Sequence, residues 1–255
     1  MRITLDYTKS IEENASMLYD KSKKAKKKLE GLSEAMDATR RRLAELRKQQ
    51  DVVENIVAKE IEEAKRKREW YEKFRWFLTS EGNLAIGGRD ATTNEMIIKK
   101  HTDIHDMVFH TDMAGSPFFI LKAEHPTDEE VREVAQATAA YSKAWQKGLG
   151  STDVFWVRPD QVTKEAESGE YLGTGAFMIR GKTNYVQFDE MALAIGLKGS
   201  QILGGPVEAI KNHADAYVKI IQGQTKPGTA AKGIRKRIGG GDLDDIIRFL
   251  PAGEV

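Results

Sequence analysis

From Ile11 to Ala64 apolar residues recur at alternating steps of four and three: Ile11, Ala15, Leu18, Ala25, Leu29, Leu32, Met36, Leu43, Leu46, Val53 and Val57. Ser22, Thr39, Gln50 and Glu60 complete the series, and the positions between are nearly all polar. This heptad seam predicts an N-terminal coiled-coil helical arm that needs an apolar partner, either a second helix folded back on it or another chain. Gly31 and the polar Gln49-Gln50-Asp51 are the two places where a turn would make the arm a hairpin. Unbroken, the segment would extend ~80 Å at about 1.5 Å per residue.

The period changes after the aromatic cluster Trp70-Tyr71. Phe74–Thr79 reads as a strand, Ser80–Asn83 as a turn and Leu84–Ile86 as the returning strand. Thr92–Lys100 reads as a helix with Asp90 as its N-cap, and Met107–His110 and Phe118–Leu121 as further strands. Thr127 caps an amphipathic helix expected to run to about Lys147, with three acidic residues at the positive end of its dipole. Strands are expected at Val154–Val157, Ala176–Arg180, Tyr185–Phe188, Leu193–Leu197 and Tyr217–Ile221. Helices are expected at Pro206–His213, Gly228–Ile238 and Asp242–Leu250. Strands and helices mix without βαβ alternation. The class is therefore α+β: a coiled-coil arm over residues 1–73, then a mixed, largely antiparallel sheet domain with flanking helices over 74–255.

Composition agrees with an extended solvated element beside a core. Of 255 residues, 40 % are hydrophobic and 31 % charged, against roughly 45–50 % and 25 % in an average globular chain. The net charge of +1 conceals an asymmetry: residues 21–48 carry 11 Lys and Arg against 4 Asp and Glu. A polyanion meets that local field and not the average, so contact with one is favoured over a merely wet helix face. The absence of Cys excludes disulfides, thiolate catalysis and Cys-ligated metal sites. No signal peptide or membrane-length apolar run is visible, and a cytoplasmic location is expected.

Four stretches offer chemistry. His101, His105, His110 and Asp112 carry metal-ligand side chains, but at no known metal spacing, and a polar strand edge is the simpler reading. Gly87-Gly88 before the helix capped by Asp90 suits either a tight turn alone or a turn that also holds a phosphate. Arg180 and Lys182 end a strand in a basic hairpin turn, and Lys232, Arg235, Lys236 and Arg237 give the tail helix a basic face. No nucleophile–base–acid set is legible. The chain is expected to bind and not to catalyse, without a cofactor; a nucleotide-directed enzyme would rest only on the Gly87-Gly88 turn and His110.

Several stretches resemble one family. They are Phe74-Arg75-Trp76-Phe77, Ile86-Gly87-Gly88-Arg89-Asp90-Ala91 with Asn94-Glu95 and Lys99-Lys100, Phe109–Pro117, Tyr141–Trp145 and Gly175–Tyr185. Together they are similar to the NFACT-R domain of ribosome quality control factors of the RqcH and NEMF type, with Thr111 where the family has Ala. Asn14-Ala15 and Tyr19 resemble the start of that family's middle coiled coil. The resemblance implies binding to a large ribosomal subunit obstructed by a stalled nascent chain. It also implies tRNA recruitment for C-terminal tailing without a catalytic centre. The family's N-terminal domain and helix–hairpin–helix segment have no counterpart here, so RNA or ribosome binding is implied for this chain and elongation by itself is not. The expected partners are ribosomal RNA or tRNA on the large subunit, with self-association through the arm as a further expectation. The expected RNA-contacting residues are Arg89, Lys99, Lys100, His110, Arg180 and Lys182 on the domain, with Lys26, Lys27 and Arg41 on the arm. A coiled-coil scaffold recruiting a protein partner is the alternative.

Overall fold

A computed structural model describes residues 3–65, 69–165 and 172–255, with the side chains of 49 and 51–65 outside the description. The chain divides into two units, Met1–Lys67 and Arg68–Val255. Among the described residues, no helix is long and apolar enough to cross a membrane.

The first unit is built on one helix, α1 (Ile11–Lys65). Ser10 and Glu13 cap its start reciprocally, each side chain bonding the other's backbone N–H. Asn14 folds the preceding loop over the first turn, accepting from the Asp6 N–H and donating to the Asp6 carbonyl. The helix continues without a break through Gly31 and Gln49–Asp51, so neither place forms the turn that a hairpin requires. Nothing approaches Gly31 that would demand a bend. Leu29 and Leu32 on the seam are 67 % and 59 % exposed. The last seam positions, Val53, Val57, Glu60 and Ala64, fall outside the described side chains.

The second unit opens with a 3-10 turn, Trp70–Lys73, followed by β1 (Arg75–Leu78) and β2 (Leu84–Gly87). These pair antiparallel around the turn at Thr79–Gly82, where Gly82 takes a φ of +89°. Next come α2 (Ala91–Lys100), β3 (Met107–Thr111), β4 (Phe119–Lys122) and α3 (Asp128–Ala140). After α4 (Lys143–Gln146), β5 (Val154–Val157) and β8 (Asn184–Val186) complete a six-stranded sheet of order β1-β2-β4-β3-β5-β8. Between those two, β6 (Val162–Thr163) and β7 (Met178–Ile179) pair by themselves. A second sheet, β10-β9-β11, combines β9 (Leu193–Lys198), β10 (Gln201–Gly205) and β11 (Ala216–Ile220), with α5 (Val207–His213) between the last two. The helices α6 (Pro227–Ile238) and α7 (Leu243–Phe249) close the chain. Among the described residues all strand pairs are antiparallel, which makes the class α+β.

Packing explains the order. Ile86, Phe109, Phe119, Ile120 and Leu121 of the large sheet are fully buried with Val134 of α3 and Ile195 of β9. Burying such side chains contributes about 1.5–3 kcal/mol each. Gly205 lets β10 lie directly on Phe77, since a Cβ there would come within 2.8 Å of the Phe77 Cβ and 2.9 Å of its ring.

Two expectations require correction. The helix capped by Thr127 stops at Ala140, because the Ser142 hydroxyl donates to the Ala139 carbonyl and accepts the Ala144 N–H, restarting the chain as α4. A strand over Ala176–Arg180 shrinks to Met178–Ile179, because Gly175, at φ +77°, turns the chain against α2.

Candidate nucleic-acid interface

Four segments of the second unit enclose a cavity of about 400 Å³: the start of β1, the β2–α2 turn, the β3–β4 connection and the loop at 174–177. Two guanidinium groups line it. Arg75, between Phe74 and Trp76 in the sequence, lies 4.1 Å from the centre of the Tyr141 ring. Arg89 donates to the carbonyls of Phe74 at 3.0 Å and Arg248 at 3.4 Å. Carbonyls anchor a cation without neutralising it. Among the described residues neither arginine pairs with a carboxylate, and Arg75 Nη1 and Arg89 Nε are buried without a hydrogen-bond partner. Burial, with Arg75 and Arg248 nearby, lowers Arg89 to about 10, so it remains charged at neutral pH. Burial also lowers Arg75, opposed by Tyr141.

The opposite wall is aromatic. His110 stacks on Phe118 at 4.2 Å between ring centres, and Phe118 meets Phe177 edge-on at 5.6 Å. His110 Nε2 faces the Ser116 carbonyl at 3.2 Å, so that nitrogen carries the proton. Burial lowers the imidazole below its ordinary value, only partly offset by bonds to Thr111 and Ser116, which keeps the ring neutral at pH 7. His110 therefore presents an aromatic surface and not a cation.

The loop at 173–177 is held from two sides. Glu95 of α2 accepts the Gly175 N–H at 2.9 Å, while Lys164 binds both Glu95 and the Gly173 carbonyl. Lys164 also lies 4.7 Å from the Phe177 ring centre.

The two glycines of the β2–α2 turn serve packing. The Gly88 N–H donates to the Phe118 carbonyl, and a Cβ there would collide with Asn94 Oδ1 at 1.7 Å. The start of α2 is already capped by the Asp90 carboxylate, which accepts from Thr93 N and Oγ1. The start of α2 is thus satisfied by its own cap, and packing accounts for both glycines of the turn. The histidine cluster also separates: His101 stacks on Trp70 at 4.6 Å while His110 faces Phe118. Among the described residues no metal-donor group forms.

Of the residues singled out in the sequence, Arg89 and His110 share the cavity. Lys99 is exposed and paired with Glu95 at 2.6 Å, and Lys100 is exposed beside it. Arg180 and Lys182 are exposed on a turn whose carbonyls are held by Gln161, and Arg180 sits 3.9 Å from Glu165. Lys26, Lys27 and Arg41 are exposed on α1 in the other unit. Arg75 is not among the residues singled out. Its one signal is a cation between two aromatics at the start of a strand, where alternation puts it on the face of the buried Phe77.

Fold and cavity define a mixed α+β domain with a cationic, aromatic-walled pocket. Residues 73–181 match the NFACT protein RNA binding domain. The archaeal Rqc2 homolog aRqcH of Methanocaldococcus jannaschii is 39 % identical over 197 residues, covering 74 % of this chain and 29 % of that protein. The ribosome quality control complex subunit NEMF homolog of Drosophila melanogaster is 35 % identical over 204 residues, 76 % of this chain and 20 % of its own. Human NEMF is 38 % identical over 178 residues, 68 % of this chain and 16 % of its own. The chain thus spans less than a third of the length of these relatives. It belongs to the NFACT RNA-binding domain family and is RqcH/NEMF-like.

Proposed function

We propose that this chain is an RNA-binding module of a ribosome quality control factor. It binds ribosomal RNA or tRNA on a large subunit holding a stalled nascent chain, in the cytoplasm, and supports C-terminal tailing within a full-length protein. It acts by binding and carries out no reaction itself. The observation that carries this reading is the pair Arg75 and Arg89, cations without carboxylate partners among the described residues, inside the segment that matches an RNA-binding domain. Exposed cations at Lys100, Lys182, Lys26, Lys27 and Arg41 supply sequence-independent attraction to phosphates. Ultraviolet crosslinking of the chain to purified ribosomes, followed by mapping of the RNA, tests the reading. Crosslinks on large-subunit RNA or tRNA are expected; crosslinks confined to ribosomal proteins contradict it.

One observation favours a second role alongside the first. The exposed seam of α1, from Leu18 to Leu46, is an apolar stripe suited to a coiled-coil partner. In this reading α1 recruits a second copy or another protein. A monomer in sedimentation at micromolar concentration removes the self-association form.

A further inference from the structure

We propose that the cavity at Arg75 and Arg89 seats a single unpaired nucleotide of RNA, its phosphate on the two guanidinium groups and its base on the His110–Phe118–Phe177 wall. The proposal rests on the RNA-binding reading and narrows it to one site and one form of RNA.

The charges in the cavity call for an anion. Burying a cation is costly unless an anion or fixed acceptors compensate it. Arg89 has two carbonyls and Arg75 has an aromatic face, yet neither has a carboxylate among the described residues, and each keeps a buried donor without a partner. Arg248, whose own carbonyl holds Arg89, adds a third guanidinium nearby, itself paired with Asp245 at 3.7 Å. A dianionic or diester phosphate matches donors of this geometry. Asp90 also borders the cavity, but its carboxylate is committed to Thr93 at the start of α2.

The shape of the cavity calls for more than a phosphate. A volume near 400 Å³ lies in the range of roughly 300–1,000 Å³ of small-molecule pockets and exceeds what a lone phosphate fills. The aromatic wall supplies what a base requires: stacking that tolerates any sequence because every base has a π-face. The neutral state of His110 suits this role better than a charged one. At the entrance the wall loops carry small residues, Ala114 and Gly115 on one side and Gly175 and Ala176 on the other. A paired base would have to leave its stack to enter, which costs a few kcal/mol by general experience of extruded bases, so an unpaired one is selected.

The test uses the full chain. Ala176 is exposed at the entrance, so Ala176→Glu places a carboxylate there without disturbing the core. Binding of a single-stranded oligoribonucleotide, a fully paired RNA duplex of the same length, adenosine 5′-monophosphate, adenosine and inorganic phosphate is measured for both proteins. The proposal expects Ala176→Glu to weaken the single strand at least tenfold and the duplex less than threefold. It also expects the monophosphate to bind at least tenfold more tightly than adenosine or phosphate. Equal weakening of single strand and duplex, or no weakening of either, overturns the cavity as a nucleotide site while leaving RNA binding intact. Binding of the free monophosphate without the oligonucleotide overturns its assignment to RNA. If neither RNA binds the unaltered chain, the RNA-binding reading itself fails.

Discussion

Glu95 accepts the backbone N–H of Gly175 at 2.9 Å, so one carboxylate on α2 fixes the loop that forms the far wall of the cavity. Lys99, the Gly175 amide and Lys164 together hold this carboxyl down to about 2. A group depressed from its ordinary 4.5 contributes fully above about pH 4.5 and loses that contribution as pH falls towards 2. Glu95→Ala is expected to raise the exchange rate of the Gly175 amide at least tenfold at pH 7, with little effect on strands β3 and β4. Hydrogen exchange read by NMR checks this. In the unaltered chain, protection at Gly175 is expected to persist to pH 4.5 and to fall below it.

Gly175 also has no room for a side chain. Its φ is +77°, and a Cβ would come within 2.5 Å of the Ala91 carbonyl oxygen. Gly175→Ala is expected to cost about 1–3 kcal/mol from backbone strain and to weaken RNA binding by shifting the loop. Chemical denaturation measures the first effect, and a stability equal to that of the parent chain contradicts the close approach.

Glu133 has the opposite electrostatics to Glu95. It is 2 % exposed, accepts the Ser80 N–H through one oxygen and leaves the other without a partner. Burial pushes its carboxyl up, with Glu129 and Glu130 adding to the effect against the Ser80 bonds. The fold therefore favours the protonated form, and stability falls as pH rises from about 4.5 through the folded-state value. Glu133→Gln removes the penalty. Melting temperatures are expected to match the parent below pH 4 and to exceed it at pH 7 by about 2–4 °C for each kcal/mol recovered. A lower melting temperature at pH 7 contradicts this account. Its neighbour Glu130 differs, because bonds from Thr79, Thr127 and Asn83 outweigh burial and lower it.

The cations of α1 act through charge alone in this account. Neutralising Lys26, Lys27 and Arg41 together as Gln is expected to reduce the salt slope of single-stranded RNA binding by about 2, near 0.7 for each phosphate that no longer meets a cation. Because these residues are exposed and lie in the other unit, melting of the second unit is expected to stay unchanged. Filter binding at several salt concentrations gives the slope, and an unchanged value removes these residues from the interface.

Local signals make most of the second unit legible in the sequence. Gly82 beside Asn83 marks the β1–β2 turn, and Asp90 and Thr127 mark helix starts that the structure keeps. What escapes is set by partners distant in sequence. β10 escapes because glycines weaken a strand pattern; Gly204 and Gly205 are needed because Phe249 and Phe77 pack where side chains would stand. The break at Ser142 is masked by an apolar period that runs on through Ala144 and Trp145, both buried. At the cavity, Arg89 and His110 are legible through resemblance. Arg75 is not, since its importance comes from Tyr141, far along the chain, and from a buried Nη1 without a hydrogen-bond partner among the described residues.

Binding of RNA through phosphate contacts is the core of this account. The affinity of the chain for a large-subunit ribosomal RNA fragment, titrated between about 50 and 200 mM salt, tests it most directly. Six or more phosphate contacts predict a loss of about a thousandfold or more across that range. An affinity that stays level over the same interval contradicts the account.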